Sequence, residues 1–158
     1  MVNIKEIYET IFIELTEDKK LLDLLNVPYE NLEGNDLLVA FRKQILENSI
    51  PDDLLNDYST RLCTHEQGGG YQTPFLEIGY IAIDIHITKN NNEKDRRGVQ
   101  LMTRIIEILD TRERKKRGLE RLPLGLEGLE YKERSLNQKR VNTGWEKFTL
   151  VFKYTYLR

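Results

Sequence analysis

The sequence contains a single cysteine, Cys63, which excludes a disulfide within the chain and any metal site built from several cysteines. It has no apolar run of sixteen or more residues, so no segment has the pattern of a membrane-spanning helix. Glu6 stands where a secretory signal peptide would carry a basic and then an apolar segment. We therefore expect a protein that is not exported, is soluble and folds in a reducing cytosol.

Charge is abundant but unevenly distributed along the 158 residues, a length that favours one compact domain. Residues 1–60 hold 5 basic and 13 acidic groups, a net charge of −8. Residues 61–158 hold 19 basic and 13 acidic groups, a net charge of +6. Two interpretations stay open: the acidic half of one copy meets the basic half of the next, or acid-rich helices simply face solvent.

The first sixty residues have helical periodicity. Apolar side chains in residues 4–15 recur at steps of three and four, which predicts an amphipathic helix. Thr16 is the expected cap of a second helix, which ends before Pro28. Asn35 is the expected cap of a third helix, which ends near Pro51. The apolar face of that third helix is predicted to be Leu38, Phe41, Ile45 and Leu46.

Residues 75–88 alternate with a period of two in their second half, which predicts a β-strand. One face of this strand is expected to enter the core, and the other to form a semi-polar surface. The predicted core face consists of Ile81, Ile83, Ile85 and Ile87, and the predicted surface of Tyr80, Ala82, Asp84 and His86.

The remaining segments predict a long helix followed by strands. Asn92 is the expected cap of a helix that ends at Gly118, with cations in its last turn. Residues 129–132 resemble an edge strand, and residues 145–157 alternate as a second long strand. The residues predicted to pack inside are Ile106 and Leu109 of the helix and Phe148, Leu150, Phe152, Tyr154 and Tyr156 of the last strand.

This order of elements predicts an α+β fold: a mostly antiparallel sheet with a helix packed across one face, preceded by an N-terminal helical segment. Residues 1–57 are expected to form the helical segment, packed on or beside a main domain of residues 58–158. The strands at 75–87 and 145–157 are longer than usual, so we expect them to project beyond the core and to offer edges to another subunit. Residues 64–74 and 134–144 are expected to be mobile loops.

The chemistry-bearing residues do not form a recognisable catalytic set. His65 is followed by Glu66 but lacks the HExxH spacing of a zinc site, so both histidines are interpreted as structural. Asp84 and His86 share one strand face, which keeps a metal-dependent nuclease as the less favoured alternative. The run Gly68–Gly70 lacks the GK[ST] ending of a phosphate loop and is predicted to be a flexible loop. We expect no enzyme, cofactor or metal.

The basic run Arg112–Arg117 admits three interpretations. It can be a solvated helix end, where cations complement the helix dipole. It can contact nucleic-acid phosphates, or it can dock onto an acidic protein surface. The solvated helix end is favoured, because the chain as a whole is net acidic.

The order of these signatures resembles one family of proteins. The segment PFLEIGYIAIDIHI begins at Pro74, the amphipathic segment VQLMTRIIEIL begins at Val99, and the strand GWEKFTLVFKY begins at Gly144. With an Asn-rich turn before the helix and a glycine-rich stretch after it, this order resembles the tail terminator, or tail completion, proteins at the neck of long-tailed bacteriophages. The resemblance covers residues 58–158 well and the helical segment less well.

The resemblance implies a non-enzymatic virion protein that is assembled in the host cytoplasm and forms a ring, expected to be hexameric. Such a ring sits on the last ring of the tail tube, stops tube polymerisation and joins the tail to the head-side connector or stopper protein. DNA passes through its channel without sequence-specific binding, and no membrane is involved. Another head–tail connector component, the stopper or the adaptor, is the alternative within the same class.

The contacts to neighbouring subunits or partners are expected to involve exposed polar, aromatic and basic side chains on the strands and at the helix end. These predicted interface residues are Tyr80, Asp84, His86, Arg112, Arg114, Lys115, Lys116, Arg117 and Trp145.

Overall fold

The structure is a computed structural model that describes residues 2–47, 57–135 and 144–157. It has the predicted α+β fold, in which six helices and one sheet of five strands are seen in the described part of the chain. No helix in that part is long and apolar enough to cross a membrane. The elements are α1 (Ile4–Thr16), α2 (Lys19–Leu25), α3 (Gly34–Gln44), β1 (Ile45–Leu46), β2 (Arg61–Thr73), β3 (Leu76–Thr88), α4 (Lys89–Asp95), α5 (Arg97–Leu109), α6 (Thr111–Lys116), β4 (Glu130–Ser135) and β5 (Trp145–Leu157).

The strands are ordered β1-β2-β3-β5-β4, and every pair is antiparallel except the parallel pair β1 and β2. The two long strands predicted from the sequence, β3 and β5, pair with each other over their whole length, from Leu76 opposite Leu157 to Thr88 opposite Trp145. The expectation that these strands offer open edges is wrong for β3, which pairs with β2 and β5 on its two sides. On the outer side of β5, β4 pairs only with Thr149–Lys153. The edge strands are β4 on one side of the sheet and β1 on the other. Because β1 is short, the rest of β2 forms the edge beyond it.

The core lies between one face of this sheet and the helices. The four isoleucines Ile81–Ile87 at odd positions of β3 are fully buried, and so are Leu150 and Phe152 of β5, as the alternation predicts. The opposite face of β3 differs from the prediction, because Ala82, Asp84 and His86 are also buried rather than forming a semi-polar surface. A central strand can be covered on both faces, and its own sequence does not say by what.

The N-terminal helices occur where the periodicity predicts them, but their caps differ. Asp18, not Thr16, caps α2, because its Oδ1 accepts the Leu21 N–H at 2.8 Å. The Thr16 hydroxyl instead donates to the Phe12 carbonyl within α1. Asn35 lies inside α3, whose cap position is Glu33 and has no side-chain cap.

The end of α3 also departs from the helical prediction. Ile45 and Leu46 leave the helix and form β1, which pairs in parallel with Leu62 and Cys63 of β2. Leu38 is exposed rather than on a buried face. Pro51, the predicted end of this helix, lies outside the described residues.

The single helix predicted from Asn92 to Gly118 is divided into α4, α5 and α6. A left-handed residue, Arg96, separates the first two, and Asp110 caps α6 by accepting the Glu113 N–H at 3.1 Å. The prediction that Asn92 is a helix cap is wrong: Thr88 caps α4, and Asn92 lies within that helix. The side-chain oxygen of Asn92 instead accepts the Gly98 N–H in the first turn of α5. The apolar stripe did not reveal these breaks, because it lies within α5, and neither α4 nor α6 contains a buried residue.

The segment predicted as a loop at 64–74 is mostly strand. β2 continues through the three glycines to Thr73 and forms a hairpin with β3. Gly68 has a φ of +99° at a break in register, so this glycine allows the β-bulge that an L-residue would resist. The second predicted loop begins within β4, and residues 136–143 lie outside the described part of the chain.

The helical segment and the sheet share one apolar core, which includes Ile7 and Leu21 as well as the β3 isoleucines. The acidic and basic halves of the chain also meet within one molecule. Arg104 bonds both carboxylate oxygens of Asp18, at 3.0 and 2.5 Å, and Arg114 bonds Glu14 at 3.0 Å. Part of the charge asymmetry in the sequence is therefore used inside the fold.

Candidate functional site

A polar network crosses the buried face of the central strands. His65 Nε2 lies 2.9 Å from Asp84 Oδ2, and the Thr149 hydroxyl donates to Asp84 Oδ1 at 2.6 Å. A histidine oriented by a carboxylate can activate a nucleophile when one is in reach. The thiol of Cys63, cross-strand partner of Asp84, is fully buried, and burial raises its pKa to about 12, with a further contribution from the charge of Asp84. That thiol is therefore protonated near neutral pH, and the network serves to satisfy buried polar groups.

The described residues contain no group of three or more histidine, cysteine, aspartate or glutamate side chains arranged to hold a metal ion. Asp84 has both carboxylate oxygens engaged by neighbouring side chains. The two side chains that bond the Asp84 carboxylate are therefore His65 of β2 and Thr149 of β5.

Three of the predicted interface residues are buried within the chain. Asp84 and His86 are 3% and 0% exposed, and Trp145 is 3% exposed and stacks on Tyr58 with ring centroids 6.5 Å apart. Tyr80 is 37% exposed at the far end of β3. The interface assignment stays a prediction, and its exposed members are Tyr80, Arg112, Lys115, Lys116 and Arg117.

The basic run forms α6 and the turn after it. Arg114 is held inside the fold, where it donates to the Ile108 and Glu120 carbonyls and pairs with Glu14. Arg112, Lys115, Lys116 and Arg117 are exposed. The run is therefore divided between one structural arginine and a cationic surface.

A groove of about 520 Å³ lies beside this cationic surface, and we call it the basic groove. Its apolar members are Leu119, which is 43% exposed, and Pro123; Lys115 and Arg121 bring positive charge to its rim. Leu126, 38% exposed, follows in the same loop. The residues that line the basic groove are Thr111, Lys115, Leu119, Glu120, Arg121 and Pro123.

The far end of the β2–β3 hairpin, residues 67–78, is termed here the hairpin arm. All eight β2 residues from Glu66 to Thr73 are exposed, whereas the first four of the strand are buried. Tyr71 and Phe75 are 54% and 72% exposed. Since β1 pairs with β2 at Leu62 and Cys63, no described strand lies along the outer side of the hairpin arm.

The base of the hairpin arm is anchored by tyrosines. Tyr154 of β5 packs over Gly79, where an added Cβ would lie 2.1 Å from the Tyr154 hydroxyl oxygen. Burial raises the pKa of Tyr154 to about 12, with smaller contributions from the charges of Glu66 and Glu77. Burial also raises the pKa of Tyr8 in α1, although the backbone of Glu66 acts to lower it. The arm thus projects from a well-packed base.

The sequence did not point to the exposed aromatic residues of the hairpin arm or to Leu119 of the basic groove. The arm was missed because Gly68–Gly70 indicated a loop rather than a strand. The groove was missed because residues 118–128 have no periodicity that could separate exposed from buried leucines; Leu122 and Leu124 of the same stretch are fully buried. The signal that was available is Tyr71 and Phe75 themselves, two aromatic side chains in an otherwise polar and glycine-rich segment.

Comparison with known proteins yields a structural likeness and no sequence family. No family model matches the chain, and no curated protein matches it. Among solved structures, the chain is similar to one in the virion of a native gene transfer agent particle, with a TM-score of 0.57 at 12% sequence identity. The alignment covers 96% of this chain and 94% of the other. At this identity the likeness establishes a shared fold that extends over nearly the whole of both chains.

Proposed function

We propose that the chain is a structural protein of a phage-like virion and forms the ring at the neck that terminates tail-tube assembly and joins the tail to the head connector. The observation that carries this proposal is the end-to-end likeness of its fold to a chain of a gene transfer agent virion. The likeness spans the N-terminal helices as well as the sheet, so it is a likeness between whole chains.

The hairpin arm supports an assembled state. An open strand edge with exposed aromatic side chains is a liability for a monomer, and natural proteins usually protect such edges with charge. β4 is protected in this way, since Lys132, Glu133 and Arg134 are exposed on it. Residues 67–76 of the hairpin arm contain no charged side chain. An arm left unprotected is suited to contact with another subunit.

Native mass spectrometry and negative-stain microscopy of the purified chain test the ring. We expect a closed oligomer, a hexamer under the resemblance to tail terminators, with a central channel. A chain that stays monomeric at high concentration contradicts the ring.

A binding assay separates the terminator from the other neck components. We expect the assembled ring to bind the tail-tube protein encoded by the same phage genome and to stop its polymerisation at a defined length. Binding to head-side components alone, with tube growth unaffected, would instead assign the chain to the stopper or adaptor.

A further inference from the structure

We propose that the hairpin arm of one copy docks into the basic groove of the next copy, with Phe75 as the anchoring side chain. This inference rests on the self-association proposed above and names the two surfaces that make the contact. Phe75 is the most exposed large apolar side chain in the described part of the chain, at 72%. Buried aromatic anchors carry much of the binding energy of protein interfaces.

The two surfaces lie at the same end of the molecule but on opposite sides of the sheet. Gly70 of β2 pairs with Ile78 of β3, and Ile78 pairs with Thr155 of β5. The Leu126 N–H donates to the Thr155 carbonyl at 2.8 Å, which places the loop after the basic groove on the far side of β5. Three strand spacings, roughly 14 Å, therefore separate the outer side of the arm from this loop.

This placement favours contact between copies rather than within one. The side of β2 in the hairpin arm that no described strand covers faces away from β3 and β5, and the loop at Leu126 lies beyond β5. A contact between two different surfaces is heterologous, and a series of such contacts closes into a ring when the rotation between neighbours allows it. Two different surfaces at separate edges of the sheet are compatible with a cyclic oligomer.

The two surfaces also have complementary chemistry. From Leu62 to Thr88 the chain has no lysine or arginine; Glu66 directly precedes the hairpin arm, and Glu77 lies near its β3 end. Residues 111–121 carry six basic and two acidic side chains, so they are net positive. Each surface also has an exposed apolar side chain among its charged residues: Phe75 on the arm and Leu119 in the groove. An aromatic tip with acidic flanks fits an apolar groove with a basic rim.

Cysteine cross-linking tests the contact directly. One full-length chain carries Gln72→Cys on the hairpin arm, and another carries Leu119→Cys in the basic groove. After mixing and treatment with a short bis-maleimide, we expect a covalent dimer in several-fold higher yield than from a control mixture of Gln72→Cys with Ile13→Cys, an exposed position on α1. The native Cys63 is fully buried and should contribute little background.

A second measurement uses surface variants that leave the core intact. Phe75→Ser should weaken self-association by about tenfold or more, as loss of an aromatic anchor does, with the melting temperature unchanged. Ile13→Ser, which removes a comparably exposed apolar side chain, should leave self-association unchanged.

The outcomes separate this inference from the proposed function. A ring that forms without the Gln72–Leu119 cross-link, or that tolerates Phe75→Ser, overturns the arm contact and leaves the virion role standing. A chain that neither assembles nor cross-links overturns both the arm contact and the ring.

Discussion

The close approach between Gly79 and Tyr154 shows how one residue controls the packing at the base of the hairpin arm. These residues are opposite one another in the pairing of β3 with β5, and the Tyr154 ring occupies the space where a Cβ at position 79 would lie. A side chain there would have to displace a ring that is 2% exposed. Glycine at this position is therefore a packing requirement.

Gly79→Ala should destabilise the protein by about 1–3 kcal/mol, the usual cost of forcing extra volume into a packed site. Urea unfolding of the purified variant measures this change. The matched control is Gly70→Ala, because an added Cβ there meets no atom within 4 Å. Equal stability of the two variants would show that packing against Tyr154 does not require glycine at position 79.

Cys63 should be chemically silent in the folded protein. The thiol is fully buried, and burial holds its pKa at about 12, so almost no thiolate is present at pH 8. We expect a maleimide reagent to leave the native protein unlabelled at pH 8 and to label one thiol per chain in urea. Rapid labelling without denaturant would show that β2 opens more readily than its pairing suggests.

The predicted interface residues show that the polarity of a single residue does not determine its exposure. Asp84 and His86 have the polar character of a strand surface, but they face a covered side of the central strand. Polarity predicted exposure, and the fold instead gave Asp84 partners on the two neighbouring strands. Whether a polar residue on a strand is exposed depends on what packs over it, and no local pattern contains that information.

Between elements, the ion pair of Asp18 and Arg104 joins the start of α2 to the middle of α5. Burial works to raise the pKa of the Asp18 carboxyl, but hydrogen bonds from Arg104 and the Leu21 N–H, with the charge of Arg104, hold this pKa below its ordinary value of 3.8. Both partners are 14% exposed. The charged form of Asp18 therefore stabilises the fold above the ordinary pKa of an aspartate, and this contribution is lost as the pH falls through the lowered pKa of the folded state.

Asp18→Asn keeps an acceptor for the helix cap and removes the charge. We expect it to lower the free energy of unfolding at pH 7 by about 1–2 kcal/mol, and we expect this difference to shrink at pH 2, because the wild-type carboxyl loses its charge as the pH falls through its lowered pKa. Urea unfolding at the two pH values makes the comparison. Glu9→Gln is the control, since the Lys5–Glu9 pair is largely exposed and should matter little at either pH. If the loss of stability in Asp18→Asn were as large at pH 2 as at pH 7, the charge of Asp18 would not be its cause.

The elements themselves were predictable to different degrees. The bounds of β5, Trp145–Leu157, were predicted correctly because its period of two runs without interruption. β2 was not predicted, because glycines carry no alternation and a bulge at Gly68 changes the register. The division of the long helix at Arg96 and Asp110 was not predicted, because the signals for those breaks are backbone conformation and capping contacts rather than apolar spacing.

For the whole molecule, strand order decides where it can associate with others. The sequence indicated that the two long strands would pair with another subunit. In the fold, β3 and β5 pair with each other inside the sheet, and β2 forms the edge where the short β1 ends. Strand order depends on contacts between distant segments, so it cannot be obtained from the pattern of one strand. The surface that we propose for association, the hairpin arm, was therefore not located from the sequence.

Removal of the hairpin arm should separate folding from assembly. Replacing residues 71–77 with Asn-Gly leaves Gly70 opposite Ile78 across a two-residue turn, a favoured hairpin connection. We expect a folded chain with unchanged circular dichroism that remains monomeric at concentrations where the wild type assembles. Native mass spectrometry provides the readout, and an intact ring formed by the shortened chain would rule out the arm as the contact.

Salt provides an independent test of the charge complementarity between copies. If the acidic flanks of the hairpin arm meet the basic groove, assembly should weaken as ionic strength rises, because exposed charges are screened. Sedimentation velocity across a salt series measures the effect. Indifference to about 1 M salt would mean that apolar contacts alone hold the copies together.

The pairing of β3 with β5 also bears on how the chain reaches its native state. The partners Thr88 and Trp145 are 57 positions apart, and Leu76 and Leu157 are 81 apart. Contacts over such separations slow the conformational search, because the intervening chain must lose entropy before the strands meet. During synthesis, the residues of β2 and β3 are therefore made before those of β5, the strand that pairs with β3. Until β5 is synthesised, the isoleucine face of β3 can be covered by α5, which contacts β3 in the folded chain.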